Sequence, residues 1–303
     1  MKHRIEYAAF ASIAWMLQKL PLGAVRRAAR CFADAVFFLA PVRKQLTARQ
    51  LMAAFPELSR REALRTARRS YRNLFTTVFE LMWTSRIRDE DASAILQLRD
   101  REIFESAFRR GRGVIVMSGH YGNWEWLCIL AARLFGLRFT VVVHPLHNPY
   151  VDRLVESYRT LFGNRVVPMR AAVRESIRTL REHGVLAMIA DQSGPGGGLF
   201  LPFLGRPAAT YEGPAVFALK TGAAVLLATA DRREDGNYTA HIEEIPTSDL
   251  NGPSEQNIRE LTRRHVEALE RRIAANPGDW LWQHRRWKHA PPPDSTDSAI
   301  TRP

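Results

Sequence analysis

GVIVMSGHYGNWE, residues 113–125, is the stretch whose reading decides the fold. An apolar run, Val114–Met117, reads as a strand that ends at Ser118-Gly119, and His120 falls in the turn that follows. Gly122 admits a backbone conformation closed to other residues. Asn123 stands where a helix N-cap belongs, which puts Glu125 in the first helical turn.

Outward from this unit the same rhythm repeats. Strand-like runs lie at Phe139–Val143, Val166–Val167, Val185–Ala190 and Val225–Ala230. Helical patterns cover 123–135, 150–161, 171–182 and 211–221. Strands alternating with helices predict βαβ units, hence an α/β fold with a mainly parallel central sheet flanked by helices. Asn237–Ile245 alternates weakly and is a candidate added strand, and residues 254–275 form one more amphipathic helix.

Upstream, Ser59-Arg60-Arg61-Glu62 matches a capping box that opens a helix running to about Trp83. Leu64, Ala67, Tyr71, Leu74, Phe75, Val78 and Met82 recur at helical spacing and predict its buried face. Arg61, Arg65, Arg68 and Arg72 make a separate stripe, either a solvated face or a contact for phosphate head groups or an acidic carrier.

Residues 1–58 are helical and apolar, punctuated by Pro21, Pro41 and Pro56. Ile5–Leu17 is shorter than the roughly 20 residues that cross a bilayer. Arg26, Arg27 and Arg30 separate it from a second apolar run, Cys31–Val42. Two short apolar segments divided by arginines read better as helices lying in a membrane interface than as one tilted span, a signal peptide or plain core helices. The chain is thus expected to comprise an N-terminal helical membrane-associating element (1–58), an α/β domain (59–290) and a disordered Pro-rich tail (291–303).

With 44 Lys+Arg against 31 Asp+Glu the net charge is +13, which suits a polyanionic partner: an anionic membrane surface, a phosphorylated lipid, an acidic carrier protein or nucleic acid. The two cysteines, Cys31 and Cys128, sit in apolar sequence and argue against a disulfide framework and for a reducing compartment.

Five positions apart across a strand–turn–helix junction, His120 and Glu125 can converge. A carboxylate on one ring nitrogen fixes the tautomer and leaves the other nitrogen to take a proton from a hydroxyl. The end of a strand in an open α/β sheet is also where ligands bind. Backbone N–H groups at the helix start are candidate oxyanion donors. Two plainer readings remain beside this one: a Glu in a first helical turn complements the dipole without chemistry, and a His at a strand end can serve as a hydrogen-bonding partner alone.

The segment SGHYGNWEW (118–126) resembles the lauroyl/myristoyl acyltransferases of lipid A biosynthesis, within the wider H-x4-D/E glycerolipid acyltransferase superfamily. The likeness extends through residues 50–81, HPLHNPYVDRLVESYR (144–159), GVLAMIADQ (184–192), LPFLGRPAAT (201–210) and NPGDWLWQHRRWK (276–288), in the expected order. It implies transfer of an acyl chain from a thioester, usually on acyl carrier protein, to a hydroxyl of a membrane glycolipid such as a lipid A precursor. The place implied is the cytoplasmic face of a bacterial inner membrane, and neither a cofactor, a metal nor an acyl-enzyme is needed. The resemblance makes His120 the general base and Glu125 its orienting partner. Arg159 and Asp191 match charged positions around the pocket, as substrate contacts or a supporting pair, and Gln192 adjoins them. Two departures bear on the acceptor side: His144 stands where the family commonly has Arg, and the 194–198 loop, GPGGG, is unusually rich in glycine.

Other motifs carry less. Gly194–Gly198 fits no phosphate-loop pattern, Ser118 lies in no G-x-S-x-G elbow, and Cys128 reads as a core thiol. His144 and His147 lack a third metal ligand. The run Trp280–Lys288 mixes indoles with cations; it can pack on the core, but beside an apolar N-terminus a membrane interface is favoured over RNA. A basic nucleic-acid-binding protein would account for the charge yet leave the H-x4-E motif and the apolar N-terminal segments unexplained.

Overall fold

A computed structural model describes residues 1–40, 42–196 and 198–291. Helices α1 (Lys2–Leu17), α2 (Leu22–Leu39), α3 (Lys44–Ala54) and α4 (Arg60–Trp83) come first. The capping box predicted for α4 is closed: Ser59 Oγ accepts the Glu62 N–H, and the Glu62 carboxylate accepts the Ser59 N–H at 2.9 Å. A short α5 (Ala92–Ile95), β1 (Leu96–Leu98) and α6 (Arg101–Arg109) lead into the repeating part. That part runs β2 (Val114–Ser118), α7 (Trp124–Phe135), β3 (Phe139–Val143), α8 (Pro149–Arg159), β4 (Arg165–Pro168), α9 (Ala172–Arg181) and β5 (Val185–Ile189). A hairpin of β6 (Phe200–Phe203) and β7 (Arg206–Ala209) precedes α10 (Gly213–Thr221), β8 (Ala224–Arg232), β9 (Tyr238–Ile245) and α11 (Glu255–Ala275).

The main sheet has the order β1-β9-β8-β2-β5-β3-β4. Strands β8, β2, β5, β3 and β4 run parallel, β9 returns antiparallel on β8, and β1 joins β9 in parallel. Alternation along each strand divides the interior. Ile115, Met117, Leu186, Val225 and Leu227 pack on one face with α10 and α11. Val114, Val185, Ala187, Leu226 and Ala228 pack on the other with α6, α7 and α8. Burial on both faces is why these strands read as unbroken apolar runs. Strand β1 and the β6–β7 hairpin left no such signal: β1 has three residues, and the hairpin carries Pro202, Pro207 and a left-handed Leu204-Gly205 turn.

Three expectations are corrected. On α4 the expected apolar face holds at Ala67, Tyr71 and Met82, which are buried, but Leu64, Leu74, Phe75 and Val78 are only half-buried, and the polar Ser70, Asn73, Thr77 and Glu80 share the buried side. The stripe on the same helix is split: Arg68 and Arg72 both grip Asp34 of α2 with paired hydrogen bonds, and Arg61 and Arg65 are exposed. The aromatic–cationic run packs on the core through its indoles: Trp280, Trp282 and Arg286 are almost wholly buried, the two indoles 4.8 Å apart edge to face, while Arg285 and Lys288 are exposed.

The N-terminal helices divide in character. From α2, Ala33 and Phe37 enter the same core as Leu51 of α3 and Ala63, Ala67 and Tyr71 of α4. Helix α1, by contrast, is apolar yet mostly exposed, burying only Ala14 and Leu17. Among the described residues no helix is long and apolar enough to cross a membrane. Cys31 is exposed and Cys128 partly buried, both as free thiols. The tail expected to be disordered lies, past Pro291, outside the described residues.

Candidate active site

Strand register brings the site together. Ser118 at the end of β2 is paired with Ile189 at the end of β5, so His120 and Asp191, each two residues further on, emerge side by side. The His120 turn is tightly held. Gly122 has φ 57°, and a Cβ there would lie 1.7 Å from the Ala230 carbonyl oxygen, so no other residue fits. Its carbonyl accepts hydrogen bonds from Asn73 and Thr77 of α4, both at 3.0 Å. Asn123 caps α7 as predicted, its Oδ1 accepting the Trp126 N–H at 2.9 Å.

Asp191 receives three donors: the His120 backbone N–H at 2.7 Å, His120 Nδ1 at 2.7 Å and the Trp280 indole N–H at 2.8 Å. Burial of the imidazole lowers its pKa, but the adjacent Asp191 carboxylate outweighs this, so His120 is held above the ordinary histidine range. Burial likewise pushes Asp191 up, and His120 more than offsets it, leaving the carboxylate below its usual range. With Nδ1–H given to Asp191, Nε2 carries the lone pair. The Gln192 side-chain nitrogen stands 3.4 Å from it. Trp124 packs edge to face on the imidazole, ring centroids 5.1 Å apart.

Glu125 does not bond to His120. It forms a two-pronged ion pair with Arg159, at 2.6 and 2.9 Å, and its charge reaches His120 only through space. The five-residue spacing brings both side chains to one cavity, but the residue that holds the imidazole comes from a different strand. The turn's backbone amides are largely engaged: those of Tyr121, Gly122 and Trp126 bond to Gly119, Asp279 and Asn123. The Gln192 side-chain amide stands beside His120 Nε2.

His120, Trp124, Glu125, Arg159 and Gln192 line a cavity of ≈ 770 Å³ between the sheet and α7. Its rim includes His144, His147, Met169 and Tyr211, and its depth is apolar, with Leu98, Phe104, Phe135, Phe139, Leu226 and Ile242. Cys128 lies in its wall, the thiol pushed by burial up to about 12 and hence inert. Such a cavity is of the size that encloses a sizeable organic ligand. Among the described residues no three His, Cys, Asp or Glu side chains gather to hold a metal ion.

Sequence reasoning missed Trp280, Asn73 and Thr77 as supports of the site. The composition of its run leaves core packing and a membrane interface both open for Trp280. The α4 residues carried a signal, since Ser70, Asn73, Thr77 and Glu80 repeat at helical spacing as a polar stripe on an otherwise packed helix.

Comparison with known proteins adds a family. The family model for bacterial lipid A biosynthesis acyltransferases matches residues 1–289. The phosphatidylinositol mannoside acyltransferase of Mycolicibacterium smegmatis is 25% identical over 63% of this chain and 62% of its own, so the chain spans less than two thirds of that relative. The Escherichia coli lipid A biosynthesis lauroyltransferase is 24% identical over 92% of this chain and 90% of its own. The palmitoleoyltransferase of the same organism is 24% identical over 84% and 81%.

Proposed function

Because the chain belongs to the bacterial lipid A biosynthesis acyltransferase family, we propose that it moves a fatty acyl group from a thioester on acyl carrier protein to a hydroxyl of a membrane glycolipid. The observation that carries this reading is a buried Asp191–His120 pair whose free nitrogen faces a deep apolar cavity. In this mechanism the fatty chain occupies the cavity and leaves its thioester carbonyl beside His120. Nε2 removes the proton of the acceptor hydroxyl as its oxygen attacks that carbonyl. Asp191 stabilises the imidazolium that forms. As the tetrahedral intermediate collapses, the carbon–sulfur bond breaks and the imidazolium returns its proton to the departing thiolate. Gln192 is suited to donate to the oxyanion once the hydroxyl displaces it from Nε2. Glu125 acts through Arg159, keeping a guanidinium at the cavity wall for the polar part of a substrate.

The acceptor most in keeping with the family is a lipid A precursor. The match to mannoside acyltransferases keeps a second glycolipid acceptor in view. Membrane association is supported by the exposed apolar side chains Ile5, Ile13, Trp15 and Met16 of α1 and Phe32, Phe38 and Leu39 of α2. Exposed Lys2, Arg4, Lys19, Arg27 and Arg30 stand among them, as in helices that lie in an anionic interface.

The test is an assay of the purified protein with a panel of acyl carrier protein and coenzyme A thioesters and lipid A precursor, mannolipid and lysophospholipid acceptors, with products read by mass. Acyl transfer that is lost in a folded His120→Ala protein supports the mechanism; turnover that persists there overturns it.

A further inference from the structure

Glu80 is a buried carboxylate that the reaction does not use. It lies on the inner face of α4 with no exposure to solvent. Oε1 accepts from Arg26 Nε at 2.7 Å and Arg232 Nη1 at 3.1 Å. Oε2 accepts from Asn123 Nδ2 at 2.8 Å, Tyr238 OH at 2.5 Å and Arg232 Nη2 at 3.3 Å. The donors come from α2, the turn after β2, β8 and β9. Burial pushes this carboxylate up, and the two guanidiniums reverse that, so it stays ionised.

An ion cluster of this kind is weak as a source of stability, because well-packed apolar groups of the same volume serve as well or better. What it does fix is a direction. Asn123 has one amide with two ends. Glu80 takes its N–H, which turns Oδ1 onto the Trp126 N–H and starts α7. Three residues earlier is His120, in a turn clamped at Gly122 between α4 and Ala230 of β8. Small rotations at this helix start are carried directly to the imidazole.

We propose that Glu80 is a positioning residue for the acyl transfer. Through Asn123 it sets the start of α7 and holds the His120 turn in register with Asp191, and through Arg26 it makes helix α2 part of the site's support. The inference rests on the reading of His120 as general base.

The experiment compares wild-type protein with Glu80→Gln and with the exchange Glu80→Gln/Asn123→Asp. In the single variant an amide faces the Asn123 amide, and one of the two must turn; misplacement on this scale costs about 10- to 100-fold in kcat with KM little changed. In the exchange the carboxylate moves to position 123, where it can cap α7 and accept from the new amide, and kcat should recover most of the loss. The imidazole resonances of His120, followed by NMR through a pH titration without substrate, should move in the single variant and return in the exchange. Unchanged kcat and unchanged His120 resonances in a folded Glu80→Gln protein would overturn the proposal, whatever the loss in melting temperature. If that variant does not fold, Tyr238→Phe removes one donor to Oε2 and keeps every charge. A lowered kcat with shifted His120 resonances supports the role, and no change in either overturns it. Wild-type transfer that His120→Ala abolishes would leave the catalytic reading standing even where Glu80 proves inert.

Discussion

Asp191 and Glu80 are both buried carboxylates held below their ordinary pKa range, yet they are built for different work. Two guanidiniums surround Glu80, and arginine does not titrate in any accessible range. That region is a fixed charge pattern around a carboxylate with no exposure to solvent. Asp191 is neutralised by an imidazole, a group whose charge changes near neutrality, and the far nitrogen of that imidazole opens on a cavity. The partner's ability to give up its proton, more than the depth of burial, separates the carboxylate of the proposed reactive pair from the supporting one.

The largest expected effects break the reactive pair. His120→Ala removes the base. Asp191→Asn keeps the shape but frees the tautomer, and in such an arrangement the loss in kcat is on the order of 10⁴-fold. Both proteins should melt within a few degrees of wild type, as calorimetry would show; a Glu80 variant should lose melting temperature along with its smaller loss in kcat. The pH profile sharpens the contrast. A general base works when unprotonated, so kcat/KM should rise through the elevated pKa of His120 and level off above it. Removing the Asp191 charge lowers that pKa, so the acid limb of Asp191→Asn should move to lower pH while the plateau falls. A limb that stays in place would show that some other group titrates.

Glu125 lies between the two extremes, paired with an arginine like Glu80 but lining the cavity as His120 does. Glu125→Gln leaves the Arg159 guanidinium partly buried and short of its counter-charge. A loss of about 10²-fold in kcat/KM is expected, of the size that substrate-positioning groups carry. The acid limb should shift slightly downward, since Glu125 adds to the field that raises His120. An effect as large as that of Asp191→Asn would restore Glu125 to the direct role its spacing suggested.

Much of this was legible in the chain, and the failures have physical causes. Apolar runs and caps located β2, β3, β5, β8, α4 and α7 because local patterning and burial agree there. The H-x4-E spacing located the cavity but gave the wrong neighbour to His120, because a spacing within one strand–turn–helix unit says nothing of the adjacent strand. Asp191 is 71 positions away, and only the register of β2 on β5 sets it beside the imidazole. Apolar periodicity found the buried Ala67, Tyr71 and Met82 of α4 but not the polar stripe that the helix also turns inward to hold the Gly122 carbonyl and Asn123. Composition leaves Trp280 open between core and interface, and the structure makes it a donor to Asp191.

Asp34 offers the smallest effect and the plainest contrast with Glu80. It too is gripped by two arginines, Arg68 and Arg72, but here the guanidiniums are more than a third exposed and water screens the pairing. Asp34→Asn should therefore cost about 1 kcal/mol or less, with kcat unchanged on a soluble acceptor. It also releases two cations on the side of α4 that carries exposed Arg61 and Arg65. If that side meets anionic lipid or an acidic carrier, binding to phosphatidylglycerol vesicles or to acyl carrier protein should tighten by roughly the 1 kcal/mol that each added surface cation contributes near an anionic membrane. Vesicle co-sedimentation at two salt concentrations separates the cases. Tighter, salt-sensitive binding marks the arginine stripe as a contact surface. No change marks it as a solvated face whose charges serve only to hold α2 on α4.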